Sequence, residues 1–319
     1  MSSREAGGVG MKEIQRVAVV GAGTMGRQIA LQCARHGFPV ALYDVMAEVL
    51  QEAEGWQRQT VAAWIETDDL AVADEAGVFD RIQHEAQLPN ALAGVDLAIE
   101  AVPERIALKR DVFAQLDRLL PDNGIIATNS SSIRVSALED ATERPERVAN
   151  MHFYLPVWDS PMVEIGGGSR TRADVLDSLT AFARAISILP LRVRKESTGF
   201  VFNRVWRAVK KEVMRVADSG VASIEDIDRA WMIKFGRSKP PPFAQMDRIG
   251  LDVIRDIELR YAAESGDAED LPRSILTDRI ERGDLGLKTG RGFYQYPDPA
   301  WARAEFLDAD ADAVDVEPS

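Results

Sequence analysis

The chain has 319 residues, enough for about two domains at ~100–200 residues each, and its 46% hydrophobic and 28% charged residues fit a soluble globular protein with a sizeable core. With 38 basic against 51 acidic residues, a formal net charge of −13, it is a poor candidate for binding nucleic acid or an anionic membrane, since both need a basic surface. One cysteine, Cys33, rules out an internal disulfide framework or a thiolate cluster and points to a reducing compartment. Three histidines, His36, His84 and His152, argue against a histidine-rich site, so no metal is expected. No apolar run approaches the ~18–20 residues of a membrane span, and the opening MSSREAGGVGMKE lacks a signal peptide's layout, so a cytoplasmic location is expected.

In chain order, RVAVV (residues 16–20) is a β-branched run that breaks at glycines and predicts a first strand. Residues 24–36 follow helical spacing through Met25, Ile29, Ala30, Cys33 and Ala34, and Gly37 stops them. PVALYD (39–44) predicts a second strand, and an acid-rich helical region carrying His84 is expected over about 47–85. VDLAIEAV (95–102), GIIATN (124–129) and RVANMHF (147–153) predict further strands, and ARAISILPLRV a helix end and another strand. Strands alternating with helices predict a parallel sheet covered on both faces. After Lys195 strand signals almost vanish. Residues 199–220, IEDIDRAWMI and GLDVIRDIELRYAAE read as amphipathic helices, so an α/β domain (14–195) precedes an all-α one (196–297). The segment 298–319, with seven acids and one arginine, is expected to be a solvated tail.

Gly21-Ala22-Gly23-Thr24-Met25-Gly26 follows a strand, opens a helix and is followed by Asp44 at the end of the next strand. That context marks a Rossmann-type dinucleotide fingerprint. Gly21 permits the tight turn, Gly23 lets a pyrophosphate approach the backbone, and Gly26 allows close helix–strand packing. Free N–H groups at the helix start suit the phosphates. Asp44 can accept from ribose hydroxyls and would repel a 2′-phosphate, and Val45-Met46-Ala47 offers no arginine, so NAD is expected rather than NADP.

His152 ends a predicted strand, and residues 150–165 can fold back around residues 158–161. His152 and Glu164 each lie six residues from Trp158, so a symmetric hairpin sets them opposite one another. A carboxylate beside an imidazole fixes its tautomer and stabilises the imidazolium, which suits a general base for an alcohol proton. His36 and His84 are expected to cap or sit at the surface.

Over about residues 14–297 the sequence resembles the L-3-hydroxyacyl-CoA dehydrogenase family, which includes 3-hydroxybutyryl-CoA dehydrogenases. The resemblance rests on VAVVGAGTMGRQIA, IEAVPERIALKRDVF, IIATNSSSI, MHF…P…VEI, STGFVFNRV, Gly250-Leu251-Asp252 and LGLKTGRGFYQY, in that order. It implies NAD-dependent oxidation of a (3S)-hydroxyl, on a substrate such as a CoA thioester, by a homodimer formed through the helical domain. His152 matches the catalytic histidine and Glu164 its partner. Asn203 matches an asparagine that holds the substrate oxygen, and Ser131 a serine near substrate and nicotinamide. Glu104 and Lys109 match residues near the cofactor, and Lys288 a lysine that reaches it from the second domain.

Two departures bear on the substrate. Leu155 stands where the family usually has asparagine, with Trp158 expected to add bulk nearby. Relatives often place lysines after the second strand to meet CoA phosphates. This chain has no lysine between Lys12 and Lys109, and thirteen acids against three arginines (Arg58, Arg81, Arg105) between Met46 and Leu108. The P-M-V-E run resembles branches that oxidise small free hydroxy acids. The rival readings are therefore the same chemistry on a free or carrier-protein-bound 3-hydroxy acid, or an NAD-binding protein without catalysis.

Overall fold

The computed structural model describes residues 13–71 and 74–308 and divides into two compact units, Met1–Val201 and Phe202–Ser319. Among the described residues of the first unit eight strands form one sheet: β1 (Val17–Val20), β2 (Val40–Tyr43), β3 (Ile82–Glu85), β4 (Leu97–Glu100), β5 (Ile125–Thr128), β6 (Val148–Phe153), β7 (Met162–Gly167) and β8 (Leu189–Val193). Their spatial order is β3-β2-β1-β4-β5-β6-β7-β8. Pairing is parallel throughout except between β6 and β7, where the hairpin predicted over residues 150–165 adds one antiparallel pair. The reason is the short return around residues 154–161, which has no room for a crossover helix and can only form a hairpin.

Alternation along β1 explains why both faces are covered. Val17 and Val19 belong to a core shared with α1 (Thr24–Arg35), α2 (Ala47–Glu66) and α6 (Ala173–Ala185). Ala18 and Val20 belong to another, shared with α4 (Leu88–Ala91) and α5 (Ile106–Leu119). Burying both faces is what makes VAVV a continuous apolar run. The chain steps from β1 outward to β2 and β3, then crosses to β4 on the other side of β1. The ends of β1 and β4 therefore flank the crevice where open α/β sheets bind ligands.

The acid-rich region is not helical to its end. After α2 and the short α3 (Glu75–Asp80) it finishes as edge strand β3, and His84 lies on that strand with Nε2 3.0 Å from Gln57 Oε1. Pairing with β2 decides this, since IQHE has no strand signature of its own. Trp158, expected to crowd the substrate, instead packs against Trp56 and Trp64 of α2, with ring centroids 6.0 and 4.8 Å away.

The second unit holds α7 (Phe202–Asp218), α8 (Ile224–Phe235), α9 (Pro242–Ile249), α10 (Leu251–Ser265) and α11 (Ser274–Glu281). α9 and α11 were not evident from the sequence. Phe243, Met246, Ile254, Leu276 and Phe293 form its core. The segment read as a solvated tail is partly folded. Phe306 is buried, and Arg229 stacks over its ring and donates to its carbonyl at 2.8 Å. Two aromatic residues at positions 301 and 306 outweigh the acids around them; residues 309–319 lie outside the described residues.

Two buried carboxylates tie this unit's closing loop to its helices. Asp247 accepts from the N–H groups of Phe293 and Tyr294 at 2.8 and 2.9 Å, and Asp228 from the Phe243 N–H and the Tyr294 hydroxyl at 3.1 and 2.8 Å. Burial pushes the Asp228 carboxyl up to about 7, against the pull of those hydrogen bonds. Between about pH 4 and pH 7 the native state thus keeps a proton that the unfolded chain has released, and this contribution to stability fades as pH rises through the window. The advantage of Asp228→Asn over the wild type in calorimetric unfolding midpoint should therefore grow from about pH 5 to about pH 7.5. A pH-independent difference would show that Asp228 does not carry the effect.

Candidate active site and dinucleotide crevice

The glycine loop meets the needs of a dinucleotide residue by residue. Gly21 has φ +107°, and a Cβ there would sit 2.8 Å from the Ala101 carbonyl oxygen at the end of β4. A Cβ on Gly26 would lie 1.7 Å from the Gly21 carbonyl oxygen, so only glycine lets α1 come this close to the loop. Gly23 is exposed with nothing within 4 Å of a Cβ, leaving its approach open. Among the described residues no side chain caps the α1 N-terminus, while Thr24 is exposed, Met25 half-buried and Ala22 buried. The Asp44 carboxylate takes the Ala22 N–H at 2.9 Å and the Met46 N–H at 3.0 Å. A carboxylate has about four lone-pair sites, so capacity remains for two ribose hydroxyls. The residues present fit NAD, with Val45 and Met46 offering exposed apolar surface beside that carboxylate.

Beside this loop runs a charge network that the sequence showed only in part. Lys109 is 1% exposed, and its ammonium lies 2.6 Å from Glu100 Oε1, 3.2 Å from Glu104 Oε2 and 3.2 Å from the Val102 carbonyl. It is thus an internal tie, and Glu104 is the member that reaches the surface. Glu104 Oε1 accepts from the Ser130 and Ser132 hydroxyls at 2.5 and 2.7 Å. Burial pushes the Glu104 carboxyl up, but those hydroxyls and the Lys109 cation outweigh it and hold it below the usual carboxylate range. Ser131, between the two serines, is exposed. Glu100, Ser130 and Ser132 escaped the sequence reading. An apolar strand ending in glutamate, nine residues before a lysine on a helix, was the available signal.

His152 and Glu164 are directly opposed in the β6–β7 register. The imidazole Nδ1 lies 3.2 Å from Glu164 Oε2, with His152 6% and Glu164 0% exposed. Tyr154 donates its hydroxyl to the same oxygen at 2.7 Å, and the Val201 N–H donates to Oε1 at 2.9 Å. The His152 ring is stacked on Phe200 at 5.5 Å and 25°, and tilted against Tyr154 at 4.5 Å. Tyr154 and Phe200 were missed. Tyr154 stands two residues beyond His152, the spacing that returns a strand to the same face, whereas nothing local marks Phe200.

The remaining candidates lie in the second unit. Asn203 is half-buried in the first turn of α7. Lys288 is held between both oxygens of Asp252 at 2.5 Å each, which keeps the Asp252 carboxyl below its ordinary range. Among the described residues no cluster of three or more His, Cys, Asp or Glu is placed to hold a metal, and no helix is long and apolar enough to cross a membrane.

Replacing Asp44 by alanine removes a charged acceptor of the kind worth about 1.5–3 kcal/mol. The dissociation constant for NAD, read by fluorescence titration, should then rise roughly 10- to 100-fold. An unchanged constant would remove Asp44 from the cofactor site.

The NAD binding domain of 3-hydroxyacyl-CoA dehydrogenase matches residues 16–197, and the C-terminal domain of that family matches 199–296. The 5-formyl-3-hydroxy-2-methylpyridine 4-carboxylate 5-dehydrogenase of Mesorhizobium japonicum is 30% identical over 285 residues, covering 89% of this chain and 91% of that protein. A probable 3-hydroxybutyryl-CoA dehydrogenase of Bacillus subtilis is 34% identical over 285 residues, covering 89% and 98%. The crystal structure of (S)-3-hydroxybutyryl-CoA dehydrogenase from Ralstonia eutropha matches with a TM-score of 0.83 at 32% identity, covering 90% and 100%. With a glycine loop shaped for a dinucleotide and both family domains in order, the chain belongs to the 3-hydroxyacyl-CoA dehydrogenase family of NAD-dependent oxidoreductases.

Proposed function

We propose that the protein reversibly oxidises the (3S)-hydroxyl of a 3-hydroxyacyl thioester, with CoA as carrier, using His152 as general base and Glu164 as its partner. The observation that carries this reading is the buried pair itself, Nδ1 to Oε2 at 3.2 Å. Donation from Nδ1–H to the carboxylate leaves the lone pair on Nε2. Nε2 takes the hydroxyl proton while the C3–H bond breaks with its electron pair and the carbonyl forms. Bound NAD supplies the hydride acceptor. The imidazolium so formed is balanced by Glu164, and in reverse it returns the proton to the alkoxide. Ser131 and Asn203 are assigned to the substrate oxygen. Glu104, held by Ser130 and Ser132, and Lys288 are assigned to the cofactor, and Lys109 to holding Glu104. A cytoplasmic setting and a homodimer through the helical unit belong to the same proposal, and exposed Val205, Ile233 and Phe235 supply apolar surface for the dimer.

One observation favours a second reading, the same chemistry on a free or carrier-protein-bound 3-hydroxy acid. Two of the three arginines in the acid-rich region already have partners within the chain, Arg58 at the surface. Arg58 pairs with Glu54 at 2.7 Å and stacks over Phe79, and Arg81 donates to the carbonyls of Gly77 and Ala34. The Mesorhizobium relative is itself named for a pyridine carboxylate rather than a thioester.

An NADH-consumption screen over 3-oxoacyl-CoA thioesters, carrier-bound 3-oxoacyl groups and free 3-oxo acids separates these readings. Turnover of acetoacetyl-CoA supports the first, turnover confined to the others supports the second, and NAD binding without any turnover supports a non-catalytic role. In an active assay His152→Ala should lower kcat by ~10²–10⁴ while NAD still binds. Near-normal turnover would overturn the assignment.

A further inference from the structure

The segment 196–201, which runs from β8 to the start of α7, lies against the His152–Glu164 pair rather than passing clear of it. Its path is unusual. The Phe200 N–H bonds the Ser197 carbonyl at 3.0 Å, closing a turn in which Gly199 has φ +74° and Phe200 φ +49°. A left-handed conformation is uncommon for a residue with a Cβ. Here it brings the Phe200 ring beside the imidazole, with centroids 5.5 Å apart and planes 25° from parallel, and turns the next amide, that of Val201, onto Glu164 Oε1.

A small void lies beneath the turn. A cavity of about 10 Å³, enough for about one water, is lined by Asn150, Gly166, Val193, Ser197 and Phe200. Asn150 and Gly166 are the next opposed pair along β6 and β7, and among the described residues none donates a hydrogen bond to the buried Asn150 Oδ1. The Ser136 N–H on Glu196 Oε1 at 2.9 Å and Arg134 on Thr198 Oγ1 at 3.4 Å hold the start of the segment, and Phe200 and Val201 are its residues that meet the pair.

We propose that Phe200 and the Val201 amide are positioning groups for the acid–base pair. The ring fixes the imidazole plane, and the amide holds one carboxylate oxygen so that the other faces Nδ1. Rotation of the imidazole about its Cβ–Cγ bond is blocked by Phe200 and by the tilted Tyr154 ring. This inference rests on the reading of His152 and Glu164 as the catalytic pair, and it adds that the connection to α7 is part of the machinery that orients them.

The test compares Phe200→Leu, which keeps apolar bulk but removes the flat ring, with Phe200→Tyr, which restores it. Activity is read on (S)-3-hydroxybutyryl-CoA with NAD, and the His152 imidazole by NMR of the full chain. A misoriented base predicts a roughly 10- to 100-fold fall in kcat for Phe200→Leu with KM little changed. The His152 ring-proton resonances should move in the leucine variant, and tyrosine should recover both readouts. Unchanged imidazole resonances in Phe200→Leu, or full kcat with those resonances moved, would overturn the positioning role. His152→Ala run alongside separates the two layers. If it retains activity, the catalytic reading fails; if it is inactive while Phe200→Leu is fully active, only the positioning role fails.

Discussion

A carboxylate removed from water has to find all its partners within the chain, because an uncompensated buried charge costs several kcal/mol. Glu164 is fully buried, and the structure around it reads as the answer to that requirement. His152 comes from the facing strand, Tyr154 from just past the end of that strand, and the Val201 amide from 37 residues downstream. Those three donors fix the β6–β7 register, the exit of that hairpin and the path of the chain into α7. A one-residue slip of β7 would carry Glu164 to the other face of the sheet and strand its charge among apolar side chains.

The crevice between β1 and β4 rests on a second buried charge. Glu100 ends an apolar strand with no solvent access and is neutralised by Lys109, reaching back from α5. Thr128 on β5 and the Val102 N–H complete its hydrogen bonding at 2.7 and 2.8 Å. The pairing locks α5 against the strand ends beside the glycine loop and leaves Glu104, the outer member, held by two serines at the mouth of the crevice. The inner charges of this network are thus buried, and Glu104 is the member that reaches the surface. The helical unit uses the same device, with the Lys210 ammonium 2.9 Å from Glu258 in its interior and Asp247 clamping the backbone of the closing loop.

Much of this was legible in the residues. β-branched runs, glycines at set spacing and the acid at the end of the second strand are local signals, each fixed by backbone conformation or one layer of packing. The hairpin that opposes His152 and Glu164 was legible for a similar reason, since a short return leaves few registers and burial selects among them. Strand β3 and the folded part of the C-terminal segment were not. IQHE becomes a strand because β2 offers it an edge, and residues near Phe306 fold because Arg229 on α8 receives that ring.

The sequence by itself determined most strands of the first unit, the dinucleotide loop and the opposition of His152 and Glu164, because these depend on neighbours within a few residues or across one turn. Only the tertiary structure decided how the buried charges are satisfied. It showed that Lys109 ties Glu100 and Glu104 together instead of facing outward, that Trp158 packs on α2, and that Phe200 and the Val201 amide close on the pair. The physical reason is that a buried ion accepts any donor the chain can bring within reach. Which donor arrives depends on contacts between segments tens of residues apart, and no local pattern encodes those contacts.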